Sequence, residues 1–342
     1  MTKNPLRDTK IVMIAPSVMT IPPESYGGIE QCIHDLYTKL EKMGIDITLV
    51  APIGSKASKL IPTIEPTREW KDEEKKAFDV YWNKLGEFDL IIDHTHQAFS
   101  YLIRDKKIVK VLYGLSTWHS PPPRNYPNLI THSEYHRGHT LGKIGKDSKV
   151  INLGVNPNKY TFSDVKDNYY LCLSVMLPHK GHLIAIDWAK KHNEHLIIAG
   201  EDVDRVEKPY VETVKSMCYG GNVDYSGRVS NEMKVDLLSH AKGLILPFFS
   251  VNEAWSLLAV ESLMCGTPCF SSTLGAMPEI IRNRNVGVLF NTKESFVNDP
   301  LNYDFNPHEI RKFAMKHFTS EIMARKHVDI YRKVIFDNEV WG

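Results

Sequence analysis

The stretch VNEAWSLLAVESLMCGTPCF, residues 251–270, places two glutamates, Glu253 and Glu261, eight positions apart in a largely apolar sequence. The apolar residues between them predict a helix that begins near Ala254. Carboxylates accept hydrogen bonds from sugar hydroxyl groups, and the start of a helix binds phosphate. This stretch therefore predicts a site for a sugar nucleotide, with one part of the ligand beyond the helix start and another beside Glu261.

The start of this predicted helix supplies anion-binding groups of its own. Glu261 lies further along a helix that is apolar nearly all round, so we expect its carboxylate to be partly buried and to need partners. The first-turn N–H groups, which have no acceptor within a helix, would be those of Ser256, Leu257 and Leu258.

The composition is that of an ordinary globular protein, with 42% hydrophobic and 24% charged residues among 342. This length predicts two domains, because single cores rarely exceed about 250–300 residues. The net charge of +1 gives no electrostatic reason to expect nucleic acid as a partner. The N-terminus lacks the apolar core of a signal peptide, and the five cysteines form no CxxC pair, so we expect a cytoplasmic protein with reduced thiols.

Strand and helix patterns alternate along the chain. An apolar run from Lys10 to Ala15, helix-spaced apolar residues over 29–43 and a second run at 47–50 form a β-α-β unit. Such units imply a parallel sheet covered by helices. A second alternating set begins at Tyr170, after the turn-rich segment 156–163. The predicted ranges are residues 1–157 and 158–320 for two α/β domains, and 321–342 for a last helix that crosses back to the first domain.

Two loops between strands and helices contain residues suited to phosphate. Gly27 and Gly28 precede a helix, and a backbone without Cβ atoms can approach an anion closely. Lys180 follows the first strand of the second domain, where its ammonium group can meet phosphate oxygens. A plain tight turn and a surface lysine are the alternatives. The glycine pair is not a GxGxxG motif, which disfavours a dinucleotide site of the dehydrogenase type.

Histidines follow two strands of the first domain, at His94, His96 and His119. The carboxyl ends of parallel strands form the usual ligand side of an open α/β sheet. Three roles stay open for these side chains: hydrogen bonding to a substrate, metal binding and packing. We expect no metal, since no carboxylate-rich partner motif accompanies the histidines.

Taken together, these motifs resemble glycosyltransferase family 4, which comprises retaining enzymes of the GT-B fold. The resemblance covers nearly the whole chain, in the order APSVMTIPPESYGGIE, INLGVNPNKY, KGHLIAIDWAKK, HLIIAGE, VDYSGRVS, the Glu-x7-Glu stretch with ESLMCGTPCF, and GAMPEII. It implies two Rossmann-like domains whose parallel sheets face across a cleft. The nucleotide would bind mostly to the C-terminal domain, and the acceptor to the N-terminal domain.

The resemblance also implies roles for individual residues. Glu261 resembles the acid that binds the donor ribose, and Glu253 resembles the acid near the hydroxyl groups of the transferred sugar and the reaction centre. Lys180 resembles the lysine of the diphosphate site. The other implied positions are Gly27 and Gly28 for closure on the diphosphate, the backbone of Ser256, Leu257 and Leu258 for the distal phosphate, and His119 near the donor sugar.

The sequence departs from the family pattern at two places. Ser174 and Val175 occupy the positions of a Gly-Arg pair whose arginine clamps the diphosphate, so a bidentate cation is missing. Arg228 and His179 are candidate substitutes. An Ala-Trp-Ser tripeptide around Trp255 stands where Pro-Phe-Gly is common, and the larger ring would reshape the sugar pocket.

The resemblance predicts a metal-independent hexosyltransferase that retains the anomeric configuration. Its co-substrate would be a UDP-, GDP- or ADP-linked sugar, without a further cofactor, and its acceptor a hydroxyl group of a glycan, lipid or small molecule. Contact with the inner face of the membrane is expected where that acceptor is lipid-linked. Two alternatives stay open: a non-catalytic sugar-nucleotide-binding protein, suggested by Val175, and a GT-B sugar-nucleotide epimerase, against which the paired glutamates argue.

Overall fold

The computed structural model describes residues 6–24, 27–67, 70–113, 128–141, 147–200, 208–250 and 252–341. The chain divides into two units. The first consists of Met1–Val155 together with Ser320–Gly342, and the second of Asn156–Thr319.

The first unit is built on a parallel sheet. Its strands within the described ranges are β1 (Lys10–Ile14), β2 (Asp46–Ala51), β3 (Leu60–Pro62), β4 (Leu90–Asp93), β5 (Lys107–Val111), β6 (Leu129–Thr131) and β7 (Lys149–Val150). Their order across the sheet is β3-β2-β1-β4-β5-β6-β7, and all neighbouring pairs are parallel. Strand β4 is buried throughout, as expected where helices cover both faces of a sheet.

Helices of the first unit connect these strands. The described ones are α1 (Gly28–Lys42), α2 (Trp70–Tyr81) and α3 (Glu134–His136). Helix α1 buries Ile33, Leu36 and Leu40 at helical spacing, which confirms the predicted helix. It ends just before Gly44, whose φ of +76° is a left-handed conformation that glycine adopts without strain.

The second unit contains another parallel sheet. Its described strands are β8 (Tyr170–Leu173), β9 (Leu196–Ala199), β10 (Val223–Gly227), β11 (Gly243–Leu246), β12 (Cys269–Ser272) and β13 (Gly287–Phe290). Their order is β10-β9-β8-β11-β12-β13, again with parallel neighbours. The chain builds one half of this sheet outward from β8 and the other half outward from β11.

The helices of the second unit are α4 (His182–His192), α5 (Lys208–Met217), α6 (Asn231–His240), α7 (Leu257–Met264), α8 (Met277–Ile280), α9 (Lys293–Asn298) and α10 (Pro307–His317). The last helix, α11 (Ser320–Phe336), belongs to the first unit, where it packs on α1. In the described part of the chain, no helix is both long and apolar enough to cross a bilayer.

The two parallel sheets confirm the predicted α/β architecture, with differences at particular strands. The apolar residues of the stretch VINLG predict a strand over 150–154. The observed strand is only Lys149–Val150, because the Asn152 side chain donates to the backbone carbonyl of His132 and the segment then turns toward α11. Strand β12 was not predicted because half of it is serine. Its hydroxyl groups donate to backbone carbonyls, Ser271 to Leu246 at 2.7 Å, so polar residues are buried in this strand at little cost.

The histidines buried in the first unit include His94 after β4, His132 after β6 and His327 in α11. Nδ1 of His94 lies 2.8 Å from the hydroxyl group of Tyr113, and Nδ1 of His327 lies 2.9 Å from that of Tyr331. Burial lowers the pKa of His132 and of His327 to about 3 and holds the pKa of His94 well below its usual range. All three imidazoles are therefore uncharged near neutral pH.

We expect acid to destabilise the protein through these histidines. In the unfolded chain their pKa returns to about 6.5, so below that pH the unfolded state binds protons that the folded state excludes. The free energy of unfolding should then fall by about 2 kcal/mol per histidine at about pH 5. Urea unfolding at about pH 7 and at about pH 5 measures this loss. His327→Gln should reduce the difference in the free energy of unfolding between the two pH values by about 2 kcal/mol.

The matched control is His308→Gln, which replaces a histidine whose side chain is 66% exposed. It should leave the difference in the free energy of unfolding between the two pH values unchanged. An acid-induced loss as large in His327→Gln as in the unchanged protein would contradict the assignment.

Candidate functional site

The candidate site lies in the second unit, at the carboxyl ends of β8 and β11. These strands are neighbours, but the chain leaves them toward opposite edges of the sheet. In open parallel sheets, ligands bind in the crevice outside this point of reversal. The loop after β8 contains Lys180 and the loop after β11 contains Glu253. Two predicted site residues, far apart in sequence, therefore reach the same crevice.

Lys180 and Glu253 form an ion pair in this crevice, and their side chains are 21% and 22% exposed. Lys180 ends a short turn, Pro178–Lys180, and Gly181, at a φ of +78°, then precedes α4. The Nζ atom of Lys180 also lies 4.8 Å from the ring centre of Phe248. The ammonium group is thus held by a carboxylate and by the face of an aromatic ring. An anion that binds Lys180 must compete with Glu253 for it.

A glycine fixes the backbone of Glu253. The carbonyl oxygen of Glu253 accepts a hydrogen bond from the backbone N–H of Ala276 at 2.9 Å. Gly275 has a φ of +63°, and a Cβ atom built on it would lie 2.5 Å from both the nitrogen and the oxygen of Glu253. Only glycine allows this approach, which gives the glycine of the motif GAMPEII a structural reason.

Helix α7 begins at Leu257, after its N-cap Ser256. The Ser256 hydroxyl accepts a hydrogen bond from the backbone N–H of Ala259 at 3.3 Å. The predicted start near Ala254 is therefore wrong, because the serine cap sets the first turn two to three residues later. Leu257 and Leu258 supply first-turn N–H groups as predicted, whereas Ser256 caps the helix instead of belonging to that turn.

Glu261 lies in the second turn of α7 and is only 7% exposed. Its Oε1 atom accepts hydrogen bonds from the Tyr160 hydroxyl at 2.8 Å and from the Lys234 ammonium group at 3.0 Å. Sequence reasoning missed both partners. A signal existed for Lys234, which precedes the buried Leu237 and Leu238 of α6 by three and four positions and so shares their face. The long separation of Tyr160 from Glu261 left no such signal.

The histidines near Val175 are poor substitutes for an arginine. The Nε2 atom of His182 lies 2.9 Å from the Ser174 hydroxyl, and burial lowers the pKa of His182 to about 4. Burial, with the neighbouring lysine, also lowers the pKa of His179. Both imidazoles are therefore mostly uncharged near neutral pH, which argues against His179 as a replacement cation. Arg228 follows β10 directly and is exposed.

Other predicted residues lie in the first unit. Gly27 is the N-cap of α1, and Gly28 is its first residue. A Cβ atom on Gly27 would lie 2.9 Å from Oε2 of Glu30 and from Cβ of Pro23, so space, not backbone conformation, favours glycine there. His119 lies outside the described residues.

The histidines after β4 are held by other groups of the first unit. His94 is buried beside Tyr113, and the backbone N–H of His96 donates to Oε1 of Glu74 at 2.7 Å. Across the described ranges, no group of three or more histidine, cysteine, aspartate or glutamate side chains is placed to hold a metal ion. These contacts favour a packing role for His94.

Trp255 lies between Glu253 and the start of α7. Its side chain is 7% exposed and packs edge-to-face on Phe318, with ring centres 5.7 Å apart. Its indole N–H is buried and meets no acceptor among the described residues. The ring therefore forms part of the core of the second unit.

Solved structures share the fold of both units. AviGT4, a glycosyltransferase involved in avilamycin A biosynthesis, superposes with a TM-score of 0.77 at 22% identity and covers 98% of this chain and 100% of its own. HepE from Anabaena, solved with UDP-glucose, gives a TM-score of 0.72 at 16% identity over 95% of this chain and 100% of its own. The fold is therefore GT-B, which confirms the predicted fold class.

Sequence comparison identifies the second unit more closely. Residues 158–299 match the family model described as glycosyl transferases group 1. The uncharacterized glycosyltransferase MJ1607 of Methanocaldococcus jannaschii is 27% identical over 158 residues, which is 44% of this chain and 35% of that protein. The match thus spans about a third of the length of this relative. The match to the group 1 model therefore covers most of the second unit.

The fit between Gly275 and Glu253 generates a prediction about stability. Gly275→Ala should lower the free energy of unfolding by more than about 2 kcal/mol, because the new Cβ atom clashes with the backbone of Glu253 and strains a left-handed residue. The control is Gly220→Ala, at a φ of +71° with no atom within 4 Å of its Cβ position. That variant should cost only about 1 kcal/mol. Equal losses in urea unfolding would contradict the close approach.

Proposed function

We propose that this protein is a retaining, metal-independent hexosyltransferase of glycosyltransferase family 4. It would move a sugar from a nucleoside diphosphate to a hydroxyl group of a glycan, lipid or small-molecule acceptor. One observation carries the proposal: Lys180 and the carboxylate of Glu253 meet in the crevice at β8 and β11, and α7, with the buried Glu261, begins four residues after Glu253. These are the groups that a diphosphate and two sets of sugar hydroxyl groups require.

Each part of the donor has a counterpart in this arrangement. The N–H groups of Leu257 and Leu258 and the positive end of α7 suit the distal phosphate. Lys180 suits the diphosphate as a point charge. Glu261 would accept hydrogen bonds from the ribose, and Glu253 from the transferred hexose. HepE, solved with UDP and with UDP-glucose, shows that a protein of this fold binds such a donor.

The chemistry of transfer follows from where charge develops. Cleavage of the bond between sugar and phosphate leaves negative charge on the nucleoside diphosphate, and fixed cations and N–H donors stabilise that charge best. Lys180 and the first turn of α7 can supply both. We therefore propose that the leaving phosphate needs no metal ion. We also propose that an acceptor hydroxyl attacks the anomeric carbon of the sugar from the same face that the phosphate leaves, which retains the configuration.

The first unit would contribute to the acceptor side of the reaction. In the first unit we also assign Gly27 and Gly28, at the start of α1, to closure on the diphosphate of the donor, and His119 to a catalytic position near the donor sugar. We further propose a cytoplasmic protein that meets the inner face of the membrane when its acceptor is lipid-linked. The acceptor itself would be recognised by loops of the first unit, because loops vary most among proteins that share a scaffold.

A second candidate function is supported by the residues around Val175. The neighbouring His182 is uncharged near neutral pH, so Lys180 would face the diphosphate without help from that position. A protein with this weaker clamp could bind a sugar nucleotide without turning it over. Arg228 is the remaining candidate for a second cation in the enzyme.

A donor screen tests the proposal directly. UDP-, GDP- and ADP-linked hexoses should include at least one that raises the melting temperature, because a ligand that binds only the folded state stabilises it. That donor should release its nucleoside diphosphate slowly in water, at the same rate with and without EDTA. NMR of the product should show the anomeric configuration of the donor. Inversion, or a rate abolished by EDTA, would contradict the retaining or metal-independent part. Stabilisation without any turnover would favour the binding protein.

The ion pair of Glu253 with Lys180 leads to an unusual expectation. Glu253→Gln should slow transfer by at least about 100-fold. The same variant should bind the free nucleoside diphosphate about two- to fivefold more tightly, because Lys180 no longer has a competing carboxylate, and a partly exposed ion pair contributes at most about 1 kcal/mol.

Glu294→Gln, an exposed acid of α9, is the matched control and should change neither quantity. Calorimetry measures the affinity, and release of nucleoside diphosphate measures transfer. Unchanged transfer in Glu253→Gln would remove Glu253 from the reaction centre.

A further inference from the structure

We propose that Tyr160 and Lys234 are positioning residues, which hold Glu261 so that one of its carboxylate oxygens is reserved for the ribose hydroxyl groups of the donor. This inference rests on the proposed function and concerns the same site. Its basis is the unequal use of the two oxygens. Oε1 of Glu261 accepts from the Tyr160 hydroxyl at 2.8 Å and from the Lys234 ammonium group at 3.0 Å. Oε2 receives no hydrogen bond from any described residue.

The charge of Lys234 makes a buried carboxylate suitable for this task. The side chains of Lys234 and Glu261 are 13% and 9% exposed, so the pair is largely withdrawn from water. A carboxylate at this depth without a cationic partner would lack a compensating charge, and it would repel the diphosphate bound by the same helix. In the ion pair with Lys234, Glu261 has a compensating charge and can accept hydrogen bonds from neutral hydroxyl groups. The ion pair is therefore better able to accept hydrogen bonds from a diol than to bind a cation.

The position of Tyr160 is fixed independently of Glu261. Arg311 of α10 donates to the carbonyl oxygen of Tyr160 at 3.1 Å and to that of Pro157 at 3.2 Å. The same guanidinium group donates to the carbonyl oxygen of Met264, at the end of α7. The backbone of Tyr160 and the helix of Glu261 are thus tied to one rigid group. The backbone from which the Tyr160 ring extends is therefore held in place relative to the helix of Glu261.

This arrangement determines how strongly the site discriminates between a nucleotide with ribose hydroxyl groups and one without them. A carboxylate with one oxygen anchored presents the other in a fixed direction, so a ligand without hydroxyl groups leaves that oxygen unsatisfied. A carboxylate without anchors could turn toward other donors or water. Loss of either anchor should therefore weaken recognition of the hydroxyl groups specifically, and leave the phosphate contacts intact.

The test compares ribonucleotides with nucleotides that lack both ribose hydroxyl groups. Calorimetry on the full chain would use UDP, GDP and ADP, each beside its 2′,3′-dideoxy form. For the nucleoside diphosphate that binds, Tyr160→Phe and Lys234→Met should each weaken the affinity for the ribonucleotide by about three- to thirtyfold. Affinity for the dideoxy form should change less than about twofold. Lys234→Arg, which keeps the charge, should restore part of the loss.

Two variants of the same unit provide matched controls for the lost hydrogen bonds. Tyr169→Phe removes a buried hydroxyl that donates to the carbonyl of Leu237 at 2.9 Å. Lys166→Met removes an ammonium group that donates to the carbonyl of Ser239 at 2.6 Å and to the hydroxyl of Thr267 at 2.8 Å. Both should lower the melting temperature without changing the ratio of ribonucleotide to dideoxynucleotide affinity. A change of that ratio in the controls as large as in Tyr160→Phe would overturn the inference.

The Glu261→Gln background separates positioning from general stability. If Tyr160 acts through Glu261, adding Tyr160→Phe to Glu261→Gln should cost no further ribonucleotide affinity. Additive losses, or single variants indistinguishable from the controls, would overturn the inference and leave the proposed function in place. Failure of the unchanged protein to bind any of the three nucleoside diphosphates would overturn the proposed function itself, and the inference with it.

Discussion

A carboxylate buried in an apolar helix must be neutralised or hydrogen-bonded, and this requirement connects Glu261 to distant parts of the second unit. Its partners come from α6 and from the segment that enters this unit. The segment and the end of α7 are in turn joined by the guanidinium group of Arg311. The apolar faces of α7 pack it against the sheet, and these polar contacts determine where its carboxylate points. Packing and the proposed recognition of the donor therefore depend on the same short helix.

The first unit meets a similar constraint at the carboxyl ends of its own strands. Lys110 of β5 and Asp93 of β4 form an ion pair at 3.2 Å, with side chains only 4% and 1% exposed. The carboxylate of Asp93 also accepts the backbone N–H of Thr95 at 2.7 Å, and Glu74 accepts that of His96. Buried charges in this unit hold the loop after β4 in one conformation. In both units, charge pairs hold loops at the carboxyl ends of the strands.

Periodic patterns predict most of the fold, because they report local preference and burial together. Helix α1 and strands β1, β2 and β8 follow from runs and spacings within a few residues, whereas the three-residue strand β3 was not predicted. Helix α7 shows the limit of this approach. Its apolar run extends the pattern backward to Ala254, and the cap at Ser256 overrides it. Two sheets also follow from the alternation, whereas the bonded serines of β12 conceal a buried strand.

The candidate site likewise contains some residues that the local sequence reveals and others that it does not. Glu253, Lys180 and Glu261 are detectable because each stands in a short motif at the end of a strand or on a helix. Their partners are not, since 73 positions separate Lys180 from Glu253 and 101 separate Tyr160 from Glu261. Nothing in the local sequence states that two such residues meet. The neutrality of His182 is likewise a product of burial, which a residue's type alone does not reveal.

The return of α11 to the first unit makes the second unit a continuous insertion within a discontinuous one. Asn156–Thr319 is a single segment, whereas Met1–Val155 needs Ser320–Gly342 to be complete. During synthesis the helix that packs on α1 emerges only after the whole of the second unit has been made. The part of the protein that is started first is thus finished last. The inserted unit can complete its core while the surrounding unit still lacks His327, Tyr331 and the rest of its closing helix.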